Sequence, residues 1–377
     1  MPWRERSRMS ERSEFVQFAR GEGQSISELC RRFGISRKTG YKWLRRAGEG
    51  LEDRSRRPRH SPDRTLPALE AQVCALRGQH PAWGGRKLHR VLRDDGEPQP
   101  PAPSTITGIL ARGGLLHPDR RLARDWERFE YDAPNQLWQM DFKGHFPAGA
   151  GRCHPLTVLD DHSRFNISLQ ACADERAQTV HTHLTAAFQR YGLPERMLMD
   201  NGSPWGSDQA HPYTGFTAWL IRLGISVLHG RPYHPQTQGK DERFHRTLQA
   251  EVLASRPGWH GLDQLQQAFD HWRGVYNGRR PHESLALDTP ASRYQPSPRP
   301  LPDQLPAIDY APGDEVRRVQ DHGRIAFRGH VYRVGRAFVG QPVALRAAAD
   351  GVWDVYFCHQ RVAEVDLRQP LLAAEEV

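Results

Sequence analysis

The chain has 377 residues, a formal net charge of +9 and five cysteines with no Cys-x-x-Cys pair. That is too long for one ordinary core, and it argues against a disulfide framework or a zinc ribbon. No apolar run approaches the roughly 20 residues that span a bilayer, and the Arg-rich opening from Met1 to Arg12 lacks the apolar stretch of a secretory signal. A soluble protein of the reducing cytoplasm is therefore expected, with no membrane partner. The charge is uneven: residues 1–130 hold 27 Lys and Arg against 17 Asp and Glu. A polyanion-binding N-terminal third joined to a near-neutral remainder follows from that asymmetry.

Residues 13–47 predict three short helices, within a domain spanning 10–50. Ser25 with Glu28 is a capping-box signal, and Ile26, Leu29 and Phe33 form an apolar stripe at helical spacing. Gly34 breaks that helix and Ser36 caps the next, Arg37 to Arg46. Its Arg37, Lys38, Lys42, Arg45 and Arg46 make it the second helix of a helix-turn-helix, of the kind that enters the major groove of DNA. Gly40 inside it costs on the order of 1 kcal/mol against Ala. Residues 51–65 form a basic linker, where Arg54, Arg56 and Arg57 are placed to follow phosphates. A second helix-turn-helix-like domain is expected over 66–125. There Leu69, Val73 and Leu76 share one face, Leu88, Val91 and Leu92 another, and Ser104 opens a last helix.

From Leu137 the pattern changes. Leu137–Lys143, His154–Asp161 and Phe165–Gln170 read as strands, with Phe165, Ile167 and Leu169 alternating as on a half-buried strand. A helix over Glu175–Tyr191, a strand over Arg196–Met199, a helix over Tyr213–Leu223 and a strand over Ile225–Leu228 follow, then helices through most of 236–277. This is an α/β layer pattern over 131–295. Within 311–368 the candidate strands Val316–Val319, Arg324–Val334, Val343–Ala347 and Trp353–Val365 suggest a small SH3-like β-barrel, with Pro296–Pro306 as its linker.

Three carboxylates fall where such a layer would gather them. Asp141 lies in the first strand, Asp200 ends the strand Met197-Leu198-Met199, and Glu242 sits in the first turns of a helix beginning near Gly239. Carboxylates converging without a neutralising base repel one another, and hard divalent cations with oxygen ligands are the usual resolution. Two such ions support in-line displacement at phosphorus, and Mg²⁺, replaceable by Mn²⁺, suits few protein ligands and several waters. Asp160 and Asp161 also end an apolar strand and read as turn or surface residues. Asp241 points away from Glu242 on the helix. His229 and His234 flank an extended Arg231-Pro232, and His181 and His183 face different ways, so neither pair reads as a metal site. Trp138, Trp272 and Tyr276 read as core aromatics.

The string Gln136-Leu137-Trp138-Gln139-Met140-Asp141-Phe142 resembles the first catalytic strand of insertion-sequence transposases in the retroviral-integrase-like superfamily. Leu198-Met199-Asp200-Asn201-Gly202 looks like their second motif, and the run from Arg231 to Leu248 closely resembles the third, with Glu242 in the acid position. Tyr276-Asn277, Arg280-Pro281-His282 and Thr289-Pro290 match the close of that core. The stretches Ile35–Leu44 and Asp53–Pro58 resemble the tandem helix-turn-helix leader.

The resemblance implies a multidomain chain: helical helix-turn-helix units, an α/β RNase H-like catalytic core and a small β-barrel C-terminal domain. It implies two Mg²⁺ ions on Asp141, Asp200 and Glu242, with Lys240 and Arg243 holding phosphates. The implied activity is Mg²⁺-dependent 3′-end cleavage at the terminal inverted repeats of an insertion sequence, then strand transfer into target DNA. The implied partners are double-stranded DNA and further copies of the chain, in the cytoplasm with the nucleoid. A silent DNA-binding regulator and a metal-dependent nuclease are the alternatives. Two departures stand out: the interval from Asp200 to Glu242 is longer than the family commonly shows, and Asp241 replaces an uncharged residue.

Overall fold

A computed structural model describes residues 8–21, 23, 25–54, 64–116, 130–206, 212–230, 239–256 and 258–368. Arg56, Arg57 and His234 lie outside these residues. The chain divides into two compact units, Met1–Arg64 and Thr65–Val377.

In the first unit, α1 (Arg8–Arg20), α2 (Ile26–Arg32) and α3 (Arg37–Arg46) enclose Phe15, Leu29, Cys30 and Trp43. Ser36 caps α3, its hydroxyl accepting the Thr39 N–H at 3.2 Å. Ser25 precedes α2 as expected, but its side chain makes no capping bond; only its carbonyl accepts the Glu28 N–H. The capping box is therefore absent.

Gly40 is buried, and a methyl group there would stand 2.5 Å from the Cys30 sulfur and 2.9 Å from Phe15 Cζ. The glycine lets α3 lie close against its two neighbours. Gly40→Ala, which in an open helix would stabilise by about 1 kcal/mol, is expected to destabilise this unit by roughly 1–3 kcal/mol through overpacking. Faster amide hydrogen exchange across α1–α3 is the readout, and slower exchange would contradict the packing.

The second unit opens with α4 (Pro67–Gln79), α5 (Gly85–Asp94) and α6 (Pro103–Arg112) around Val73, Trp83, Leu88, Leu92 and Ile106. Buried Arg77 ties them together by donating to the Trp83 carbonyl at 2.6 Å and the Leu115 carbonyl at 3.1 Å. The sheet follows: β1 (Trp138–Phe142), β2 (Phe146–Ala148), β3 (Gly151–Asp160), β4 (Asn166–Cys172), β5 (Arg196–Met199) and β6 (Ser226–His229). β3 pairs antiparallel with β1, β2 and β4, while β5 joins β1 and β6 joins β5 in parallel. Parallel strands need crossover helices. α7 (Ala177–Tyr191) and α8 (Gly215–Arg222) supply them and share a core with Trp138, Met140 and Val158. α9 (Gly239–Glu251) and α10 (Leu262–Gly278) pack with Leu159 and Leu169 in a separate core.

Two readings of this region need correction. Val158 pairs with Ser168 and Leu159 with Asn166, so Ile167 is the extra residue of a β-bulge. The bulge breaks the alternation: Ile167 joins the α7 side and Leu169 the α9–α10 side. Helices cover both faces, so β4 is buried on both and not half-buried. Pro296–Pro306, expected as a linker, is instead a strap. Ser297 N–H bonds the Tyr191 carbonyl, the Arg299 carbonyl accepts the Leu193 N–H, and the Arg299 guanidinium reaches the carbonyls of Pro194, Leu223 and Gly224. Gly192, at φ 75°, lies so close beneath it that a methyl group would be 2.6 Å from the Ser297 carbonyl oxygen.

Last come β7 (Glu315–Arg318), β8 (Arg324–Phe327), β9 (His330–Arg333), β10 (Pro342–Ala349), β11 (Val352–Phe357) and β12 (Gln360–Asp366). Their pairing gives a four-stranded sheet, β12-β11-β10-β7, and a separate β8–β9 hairpin. Among the described residues this is not a closed barrel. Ile325, Phe327 and Tyr332 of the hairpin share the apolar core with Val343, Leu345 and Val355 of the sheet, and an isolated Gln320–Arg324 bridge and the Arg328–Glu315 ion pair add to that burial.

Candidate active site

Parallel pairing of β1 with β5 matches Gln139 to Leu198. Asp141 and Asp200 each lie two residues further on, so adjacent strands deliver both acids to the same end of the sheet, about one interstrand spacing of ~5 Å apart in backbone. Asp141 lies within β1, where its carbonyl accepts the Thr157 hydroxyl of β3 at 3.0 Å. Asp200 follows β5 and begins a turn: one oxygen accepts the Gly202 N–H at 2.9 Å and the Trp205 indole N–H. Trp205 is buried and stacks on Phe142 at 5.4 Å.

Glu242 is exposed in the first turn of α9, whose Phe244 and Leu248 are buried. Burial pushes the Asp141 carboxyl up to about 7, with the charge of Asp200 next and those of Glu175 and Glu242 adding to it; the Phe142 N–H opposes.

α9 is tied to the strands on either side of Glu242. His245 Nε2 lies 2.9 Å from the Thr157 hydroxyl oxygen. Because that hydroxyl donates to the Asp141 carbonyl, it accepts from Nε2–H. Burial, then Lys143, brings the His245 imidazole down to about 4, so it is neutral, with Nδ1 3.9 Å from the Asp141 carboxylate. Lys240 is not free to project outward. Its ammonium meets the Asp161 carboxylate at 2.5 Å and the Asp161 carbonyl at 3.2 Å.

Asp160 and Asp161, read as turn or surface residues, lie at a turn but are fully buried. Asp160 accepts the Asn135 and Ser163 N–H groups, and Asp161 accepts from Gln139 and the Tyr131 N–H. Asp241 does face away from Glu242. It is 1% exposed, and neither of its oxygens has a hydrogen-bond partner among the described residues. Thr157, Trp205, Asp161 and His245 carry no separate sequence signal, apart from the position of His245 one helical turn after Glu242.

Arg243 is exposed on α9. In the other unit, Arg37, Lys38, Tyr41, Lys42 and Arg45 are exposed together on α3. Arg46 is drawn inward, donating to the Glu52 carbonyl at 2.6 Å, and Arg54 pairs with Glu49. His229 Nδ1 lies 3.0 Å from the Asp200 carbonyl oxygen. Trp138, Trp272 and Tyr276 are core residues.

An oxygen donor set whose charges repel one another fits a hard divalent cation in its chemistry. Among the described residues no three His, Cys, Asp or Glu side chains are gathered as a metal-binding group. One Asp200 oxygen is instead engaged by its own turn. No described helix is long and apolar enough to cross a membrane.

Comparison with known proteins gives a consistent picture. Residues 314–371 match the C-terminal domain of IS481 family transposases, and 132–235 and 223–290 match integrase core domains. Residues 11–59 match a helix-turn-helix domain and 39–110 a homeodomain-like domain. The 39.2 kDa protein of insertion element IS476 from Xanthomonas euvesicatoria is 31% identical over 62% of this chain and 67% of its own length. A protein named as a transposase for insertion sequence element IS5376, from Geobacillus stearothermophilus, is 20% identical over 94% of this chain and 87% of its own. Among solved structures, the HTLV-2 integrase catalytic core domain in complex with magnesium aligns at 17% identity and a TM-score of 0.34, covering 44% of this chain and 99% of that one.

Proposed function

Because the chain belongs to the insertion-sequence transposases with a retroviral-integrase-like core, we propose that it binds the terminal repeats of its element and joins their 3′ ends to target DNA. The observation that supports this most is the delivery of Asp141 and Asp200 to one sheet end, with the charges of Asp200 and Glu242 both bearing on Asp141. Asp141, Asp200 and Glu242 would hold two Mg²⁺ ions. When bound, the ions supply activation of the attacking oxygen and stabilisation of the leaving one.

The rest falls to the chain's own residues. His245 and Thr157 hold the Asp141 backbone, and Arg243, exposed on α9 next to Glu242 in the chain, would hold a phosphate. In the first step water attacks the phosphorus at the element end, and the P–O3′ bond breaks to leave a 3′-hydroxyl. In the second, that hydroxyl attacks a target phosphodiester: a P–O bond to the element's 3′ oxygen forms as the target's own P–O3′ bond breaks, and the proton of the attacking hydroxyl is balanced by the one taken up on the released target 3′-hydroxyl. Several copies of the chain would act on paired ends.

End recognition falls to α3, whose exposed Arg37, Lys38, Lys42 and Arg45 form one cationic face. Lys38→Ala and Lys42→Ala are each expected to weaken binding to a terminal-repeat duplex and to reduce the slope of log K against log salt by about 1. An unchanged slope in both variants would remove α3 from the interface. Incubation of the same labelled duplex with protein and Mg²⁺ tests the chemistry: a recessed 3′ end at the element boundary is expected, and an intact duplex would contradict it.

A further inference from the structure

The integrity of the site depends on where α9 sits, because α9 carries Glu242 while Asp141 belongs to the sheet. Apolar burial of Phe244 and Leu248 presses α9 onto the strands, but such contacts resist sliding and rotation weakly. Directional polar bonds fix a register better.

One such set joins the two elements through the interior. Lys240, two residues before Glu242, meets the Asp161 carboxylate at 2.5 Å. The same Asp161 oxygen accepts the Gln139 side-chain amide at 2.7 Å, and Gln139 stands two residues before Asp141 on the same face of β1. The second Asp161 oxygen accepts the Tyr131 N–H at 2.9 Å, which holds the carboxylate in place. Asp161 is fully buried, Gln139 is 1% exposed and the Lys240 side chain is 17% exposed, so the pair is largely shielded from water. Exposed ion pairs contribute little, but a buried pair is strongly coupled, and removing one partner leaves an uncompensated charge. Lys240 is also the cation that bears on buried Asp241, so its charge offsets two acids.

We propose that Lys240 is a positioning residue: its ion pair with Asp161, carried through Gln139 to β1, sets the register of α9 and so the placement of Glu242 relative to Asp141. This rests on the reading of Asp141 and Glu242 as catalytic acids. It gives Lys240 an internal task in place of phosphate contact.

The test uses the full chain and a pre-cleaved terminal-repeat duplex, with single-turnover joining, DNA affinity and its salt slope, and thermal midpoint measured together. Lys240→Met is expected to slow joining at least tenfold at saturating DNA, while affinity and salt slope stay as in the parent. Lys240→Arg is expected to recover most of the rate. Asp161→Asn should slow joining similarly, and the double variant should be no slower than the worse single one, since the two groups act as a unit. Parent-like joining by Lys240→Met overturns the proposal, as does a changed salt slope, which would return Lys240 to phosphate contact. Rate losses that multiply in the double variant, or that only track the unfolded fraction, also overturn it. Glu242→Gln, run alongside, separates the two levels. If it joins DNA normally, the reading of the acids fails; if it is inactive while Lys240→Met is normal, only the positioning role fails.

Discussion

Asp141→Asn, Asp200→Asn and Glu242→Gln are each expected to lower strand joining by at least about 10²–10³-fold, with binding to terminal-repeat DNA kept. The separation follows from the architecture. End recognition is proposed for α3 of the first unit, whereas Asp141, Asp200 and Glu242 lie in β1, after β5 and on α9 of the second. Each substitution is nearly isosteric, so the loss would come from charge at the site and not from packing. Asp241→Asn belongs in the same series. Asp241 is buried where Glu242 is exposed, so its amide variant is expected to keep far more activity than Glu242→Gln. The reverse order would move the third acid by one residue. Quantifying joined product against the dissociation constant for each variant checks the whole set.

The second large effect concerns stability without metal. Burial, followed by the charges of Asp200, Glu175 and Glu242, raises the Asp141 carboxyl to about 7 against an ordinary 3.8. A carboxyl whose folded pKa lies above its unfolded one favours folding while protonated. That contribution is full below about pH 4 and is lost as pH rises through about 7. In EDTA, the protein should therefore lose on the order of 2–4 kcal/mol between these values on account of this group. Asp141→Asn should remove most of the loss, making an inactive variant more stable than its parent at pH 8. Mg²⁺ should restore the parent and leave the variant unmoved. Chemical denaturation at pH 5 and pH 8, with and without Mg²⁺, reads all of this. A parent at least as stable as Asp141→Asn at pH 8 in EDTA would mean that the acids are compensated in another way.

What the sequence disclosed divides by the range of the interactions. Local signals carried well: Ser36 caps α3, Arg196–Met199 forms β5 with its expected ends, and Gly192 terminates α7. The placement of Asp141 in β1, Asp200 after β5 and Glu242 at the start of α9 was legible because strand ends and helix starts are themselves local features.

Apart from the capping box expected at Ser25, a local signal that failed, the corrections depend on partners outside the segment itself. Gly40 looked like a weakness in a helix until Cys30 and Phe15 were seen to fill the space a methyl group would need. The bulge at Ile167 depends on the register of β3. The Pro296–Pro306 segment has a linker's composition, yet its backbone bonds to the turn after α7 and its Arg299 guanidinium to the turn after α8. Asp161 and Lys240, 79 residues apart, show no pairing signal in one sequence. In the C-terminal domain the strand regions were readable, but Arg324–Val334 and Trp353–Val365 are each two strands, and pairing was not legible because alternation reports which side of a strand is buried and not which strand lies beside it.

The most direct test of the central claim is strand transfer by the purified chain. It requires a labelled terminal-repeat duplex, a supercoiled plasmid target, and Mg²⁺ or EDTA. Labelled DNA covalently joined to plasmid in Mg²⁺, absent in EDTA and absent with Asp200→Asn, is the predicted result. Cleavage without joining, or joining that persists in the Asp200→Asn variant, would contradict it.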